Sequence, residues 1–159
     1  MSSWLDVALL AVLIVLNGVF AMSEISLVTS RRARLQRLID DKVAGAERAR
    51  ELNADPNRAL STIQVGITSI GILSGIVGES ALARPMEAFL VMVGLSPETA
   101  KAIGLFVVVV LITYFSIVMG ELVAKRIGQI SPERIACRLA PPIHCLSIIA
   151  APFVKLLSV

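Results

Sequence analysis

Residues 102–120 read AIGLFVVVVLITYFSIVMG, bounded by Lys101 and Glu121, with no charge between them. A helix needs about 20 apolar residues to cross the roughly 30 Å hydrocarbon core of a bilayer. The run therefore predicts a membrane span, and the rest of the chain is to be placed around a bilayer. It also isolates Glu121. An ionised acid at mid-bilayer costs roughly 2.5–3.5 kcal/mol on insertion scales. A carboxylate at the end of such a run is offset by a bound cation, a proton or a paired base, so Glu121 is a candidate functional residue on physical grounds alone.

Composition agrees with a membrane domain. Of 159 residues 56% are hydrophobic, against about 45–50% in soluble domains, and only 4% are aromatic. Aliphatic residues and Ala dominate, which suits lipid contact and close helix packing. The length predicts one compact domain. The net charge is +3. Its basic residues cluster beside apolar runs, with no interleaved aromatics to stack bases, which argues against nucleic acid as a partner. Cys137 and Cys145 form neither a Cys-x-x-Cys pair nor a zinc spacing, and the lone His144 follows Pro141-Pro142, so the chain lacks a metal motif of the zinc type. The apolar N-terminal stretch has no Lys or Arg before it and does not resemble a cleaved signal peptide.

Working outward from residues 102–123, two more spans are predicted at about 5–28 and 60–78. The first carries Ser23, Glu24 and Ser26 near its end and stops at Arg31-Arg32. The second is rich in small and hydroxyl residues, including Ser69, Gly71, Ser74, Gly75 and Gly78. Its Gly71/Gly75 and Ser74/Gly78 pairs have the spacing that lets helices approach closely, and close approach also exposes hydroxyls and carbonyls to a shared cavity. Residues 31–53 combine apolar positions at helical spacing with many charges and predict a single amphipathic surface helix; Asn53-Ala54-Asp55-Pro56 predicts a turn back to the bilayer. Ser96-Pro97-Glu98 and Ser131-Pro132-Glu133 carry helix-start signals. Residues 135–159, interrupted by Pro141, Pro142 and Pro152, predict an interfacial helix bent at its prolines rather than a fourth span. The expected fold class is an all-α membrane protein with three transmembrane helices plus amphipathic juxtamembrane helices.

Basic residues orient it. Eight lie between Arg31 and Arg58, only Arg84 and Lys101 between the second and third spans, and five after the third span. The positive-inside rule then places the N-terminus outside and the C-terminus in the cytoplasm. In that topology Glu24 and Glu121 both sit toward the cytoplasmic end, at similar depth. Carboxylate, hydroxyl and carbonyl oxygens are the donors a hard cation such as Mg²⁺ selects. The plainer reading is that the acids pair with neighbouring bases: Lys125 follows Glu121 by four residues, the favourable helical ion-pair spacing. No Ser/His/Asp set, phosphate loop or His-Glu-x-x-His is present, so an enzyme has little support.

Three segments together resemble the CorC/CNNM family, in its transmembrane domain: Phe20-Ala21-Met22-Ser23-Glu24-Ile25-Ser26-Leu27, Thr62-Ile63-Gln64-Val65-Gly66-Ile67-Thr68, and Gly120-Glu121-Leu122-Val123-Ala124-Lys125-Arg126. The resemblance covers essentially the whole chain. It implies a homodimer in the inner cell membrane, a juxtamembrane helical belt, an inward-facing acidic cavity and Na⁺-coupled Mg²⁺ efflux. It also implies cytoplasmic CBS-pair and CorC domains in full-length relatives. Carried over residue by residue, Glu121 matches the family's ion-binding acid, with Gly120 lending its carbonyl. Glu24 and Ser23 match the Ser-Glu element, and Ser26 and Ser69 are further candidate oxygen ligands. The chain departs from the pattern at Ala21, where many relatives have Ser; at Ile67 and Gly71, where they have Asn; and at Ala124, where they have Pro. The Phe20–Leu27 segment, Gly75-Ile76-Val77-Gly78 and Lys125-Arg126-Ile127-Gly128 are most similar to a bacterial branch for which export of polyamines such as putrescine or cadaverine has been proposed. The alternatives that remain are therefore a polyamine exporter using the same carboxylates, and a membrane anchor or ion sensor for cytoplasmic domains.

Overall fold

The structure, a computed structural model, describes residues 3–157, with side chains described for residues 4–148. Among these residues every regular element is helical. The chain runs through α1 (Ser3–Thr29), α2 (Arg32–Asp40), α3 (Ala46–Ala54), α4 (Pro56–Gly78), a π-helical turn (Glu79–Ala83), α5 (Arg84–Met92), α6 (Pro97–Ile117), a second π-helical turn (Val118–Val123), α7 (Ala124–Ile130) and α8 (Pro132–Leu157). Three helical rods are long and apolar enough to cross a membrane: Trp4–Thr29, Pro56–Met92 and Pro97–Ile130. The second and third rods outrun the apolar segments that predict them, because each continues through its π turn into α5 or α7. The start signals hold where they are seen. Ser96 accepts from the Thr99 amide at 3.4 Å with Pro97 in the first turn, and Asp55 accepts from the Arg58 amide at 3.3 Å with Pro56 behind it.

The expected single helix over residues 31–53 is two helices. Lys42 (φ 55°) and Gly45 (φ 81°) both adopt left-handed backbone, which ends α2 and reverses the chain into α3. The break lets Leu35 from α2 and Ala46, Ala49 and Leu52 from α3 face one core, where one straight helix would have carried them apart. The single helix expected over residues 135–159 is present as α8, which continues through Pro141 and Pro142 without interruption to Leu157; residues 158–159 lie outside the described residues.

α1 is the hub of the fold, packed against α4, the second π turn, α7 and α8, whereas α4 and α6 touch each other only sparsely. The one sizeable apolar core among the described residues lies at the end of the bundle where α2, α3 and α8 collect. It joins Leu27, Leu35, Ala49, Ile63, Ala136, Cys137 and Ile143, with Leu35, Ala49 and Ile63 fully shielded. Asn53 Nδ2 donates to Leu27 O at 2.9 Å, tying α3 to the end of α1, and Glu133 accepts from the Arg31 amide at 3.3 Å, tying α8 to the start of α2.

Candidate functional site

The third rod meets α1 through small residues. Gly120, Ala124 and Gly128 recur every four residues and face Asn17, Gly18 and Met22–Ile25. A Cβ on Gly120 would lie 3.1 Å from Asn17 Nδ2 and 3.3 Å from Ile14 O, and one on Gly128 would strike Ile25. This stripe does the close packing expected of Gly71 and Gly75. A Cβ on either of those two would meet nothing within 4 Å, so they border open space instead, while Gly78 is pressed by Ile112. The correction has a physical reason: α4 leans on α1 and diverges from α6, so its glycines line a gap.

That gap is an open cleft of about 260 Å³ between α4 and α6. Gly71, Ser74, Gly75 and Glu79 form one wall, and residues of α6 from Leu105 to Ile117 the other, among them Ile112, Thr113 and Ser116; Asn17 and Glu121 complete the lining. From Val109 to Glu121 the helical rise is about 18 Å, more than half the depth of a bilayer core. Glu121 lies in the second π turn. Such single-turn insertions occur disproportionately at functional sites, because they leave backbone groups outside the regular helical ladder.

Glu121 does not stand alone. Lys125 Nζ lies 2.6 Å from Glu121 Oε1 and 3.4 Å from Glu24 Oε2, so one ammonium bridges carboxylates from two different rods. The ion pairing expected from the four-residue spacing is present and extends to Glu24. Two of the candidate hydroxyls turn away from this centre: Ser23 Oγ donates to Val19 O at 2.7 Å and Ser26 Oγ to Ser23 O at 3.1 Å, both buried within α1. Ser69 is exposed on α4 and is not among the residues lining the cleft. Of the candidate residues only Glu121 lines the cleft; Glu24 meets it through Lys125, Gly120 is buried against Asn17 and Gly18 of α1, and Ser23, Ser26 and Ser69 lie apart. Among the described residues no three His, Cys, Asp or Glu side chains converge as a metal cluster.

Sequence reasoning missed Asn17 as a site residue. Its Oδ1 is buried without a hydrogen-bond partner, the one such side-chain atom among the described residues. An orphaned buried carbonyl oxygen is costly and asks for a ligand. The signal available was an amide in the middle of an apolar span. Glu79, Thr113 and Ser116 were missed as well. Glu79 follows directly on the predicted second span, and the hydroxyls look like ordinary span residues until α4 is seen to stand off.

The geometry can be set beside known proteins. The family model described as the cyclin M transmembrane N-terminal domain matches residues 8–159. A Synechocystis relative, UPF0053 protein sll0260, is 43% identical over 155 residues, covering 98% of this chain and 35% of its own length. UPF0053 protein YhdT of Bacillus subtilis is 32% identical over 150 residues, 94% of this chain and 32% of the relative. A protein of Escherichia coli K12 named polyamine export protein is 31% identical over 142 residues, 89% of this chain and 32% of the relative. The chain spans about a third of the length of the curated relatives it matches. Three rods fit to span a membrane, an acid-bearing π turn packed on the first of them and a family match over nearly every residue lead to one statement: the chain belongs to the CNNM family, as a cyclin M-type transmembrane domain.

Proposed function

We propose that this domain transports a divalent cation, Mg²⁺, across the inner cell membrane, as Na⁺-coupled efflux, with Glu121, Gly120 and Asn17 as its central ligands. In this reading it works as a homodimer joined to cytoplasmic CBS-pair and CorC domains in the full-length protein. The observation that carries it is the unpartnered Asn17 oxygen at the same end of the cleft as Glu121. Amide, backbone and carboxylate oxygens are the donor set of a hard cation. Mg²⁺ dehydrates reluctantly, and a six-water shell at about 30 Å³ per molecule needs about 180 Å³, which the cleft of about 260 Å³ accommodates. Glu24, Ser23, Ser26 and Ser69 are second-rank ligands in this reading, reached only if their present contacts change.

A second reading has its own support. Relatives at 31% identity carry the name polyamine export protein. The cleft's long wall is mostly aliphatic, broken by Thr113 and Ser116, as suits an alkyl diamine, and the two carboxylates already hold a primary ammonium. Titration calorimetry of the purified protein with Mg²⁺ and with cadaverine separates the two. Asn17→Leu is expected to weaken Mg²⁺ binding about tenfold, the loss of one good oxygen contact at about 1.4 kcal/mol. Unchanged Mg²⁺ affinity in that variant would remove Asn17 from the site, and heat from cadaverine alone would favour the amine reading.

Orientation is open to a thiol test. Cys145 is exposed on α8, whereas Cys137 is buried, and burial together with nearby Glu133 pushes its thiol above the usual range. Less thiolate and less access both slow alkylation. With α8 on the cytoplasmic side, a membrane-impermeant maleimide is expected to label Cys145 in inside-out vesicles and not in right-side-out ones, with Cys137 reacting only after unfolding. Labelling of Cys145 from the outside would reverse the topology.

A further inference from the structure

We infer that Lys125 is a tethered counter-cation: its ammonium fills the Glu24–Glu121 pair until the transported cation displaces it, and returns to help expel that cation. The inference rests on the transport reading above. Its basis is the bridge itself, 2.6 Å to Glu121 and 3.4 Å to Glu24, drawn from α1 and from the third rod. A lone intrahelical pair would engage Glu121 only. By reaching across, Lys125 neutralises one of two negative charges that otherwise face each other across the rod contact. The position suits a removable plug. Lys125 begins its pairing from the first turn of α7, where the buried Ala124 fixes the backbone against α1. Its own side chain is one-third exposed, so a route to water is already present. A lysine carries one compact charge on a flexible four-carbon stem and can swing to the interface, which a forked guanidinium gripping two carboxylates does less readily. No bond is made or broken in the exchange; one cation replaces another.

A competitor on a short tether acts at an effective concentration in the millimolar range. Removing it therefore tightens binding and slows release. Lys125→Gln is expected to bind the probe cation, Mg²⁺ or cadaverine, about tenfold more tightly in calorimetry, while its flux in reconstituted liposomes falls by a similar factor. Lys125→Arg, which keeps the charge and grips the two carboxylates more firmly, is expected to bind the probe no more tightly than wild type. A merely structural lysine would give the opposite pattern, with binding and flux falling together. The wild-type protein supplies a measurement independent of any variant's folding: acetylation of Lys125, followed by mass spectrometry, is expected to rise when Mg²⁺ or cadaverine saturates the site. If wild type binds a probe but Lys125→Gln binds no tighter, or Lys125 acetylation fails to rise, the tethered-cation inference is overturned and the transport reading stands. If neither probe binds wild type, the transport reading itself fails and takes this inference with it.

Discussion

Under the proposed cation transport, glutamine at position 121 is expected to abolish flux while leaving the helices in place. The substitution keeps the size of the side chain and removes its charge. In the structure Glu121 closes one end of the α4–α6 cleft and accepts a short contact from Lys125. With the carboxylate gone, Lys125 has only Glu24, at 3.4 Å, and the cleft loses the charge that would offset the desolvation of the proposed cation. Hydrogen bonds to charged groups are worth about 1.5–3 kcal/mol, and direct ligation of a divalent ion is stronger, so binding is expected to fall at least about 100-fold. Flux into or out of reconstituted liposomes measures the effect, and a melting temperature near that of wild type shows that the rods still pack. Glu121 is half-exposed at the edge of the α1 contact and bears no core packing, so a folding defect is not expected. Retention of more than half the wild-type flux would take Glu121 out of the transport path.

Why this residue was legible and its neighbours were not is a matter of what sequence encodes. A charge ending an apolar run stands out because bilayers penalise charge, and Glu121 and Glu24 announce themselves that way. Three apolar segments are likewise visible, and with them the fold class. The π turns leave no such mark: shifting a hydrogen bond from four residues to five changes no composition. Glu79 marks the edge of hydrophobicity, not the end of a helix, so the second rod runs on past the predicted span to Met92. The direction in which a small residue faces is also a tertiary fact. Gly71-x-x-x-Gly75 and Gly120-x-x-x-Ala124-x-x-x-Gly128 both have close-packing spacing, yet only the second meets a helix, because α4 stands off from α6. Hydroxyls are ambiguous for a related reason. In a helix Ser can bond its own preceding turn, as Ser23 and Ser26 do, or serve a cavity, as Ser74 and Ser116 are placed to do. Asn17 was visible as a polar residue in a span; its orphaned oxygen became visible only when the third rod's Gly120 was seen packed against it.

Valine at position 45 is expected to undo the layer beneath the spans. Gly45 adopts φ 81°, a conformation that strains a β-branched residue severely, and a Cβ there would fall on the Cys137 carbonyl of α8. That carbonyl is approachable for a reason written in the sequence. Pro141, four residues on, has no N–H to bond it, so Cys137 O is left outside the helical ladder and faces the α2–α3 reversal. The obstacle is backbone against backbone, and no side chain can rotate to relieve it. Either the turn abandons its left-handed geometry or α3 withdraws from α8, and withdrawal opens the core around Leu35, Ala49, Cys137 and Ile143. Strained backbone costs about 1–3 kcal/mol, and loosening a core of this kind adds a comparable amount, so a total of about 4 kcal/mol or more is expected. Gly94 provides the control. It too is left-handed, at φ 105°, but a Cβ there would meet nothing within 4 Å, so Gly94→Val carries the conformational strain without the collision. Thermal unfolding of the two variants side by side is expected to show a clearly larger loss for Gly45→Val than for Gly94→Val. Equal losses would mean that positive φ alone, and not the fit of the α2–α3 turn onto the proline-freed carbonyl of α8, holds the juxtamembrane layer together.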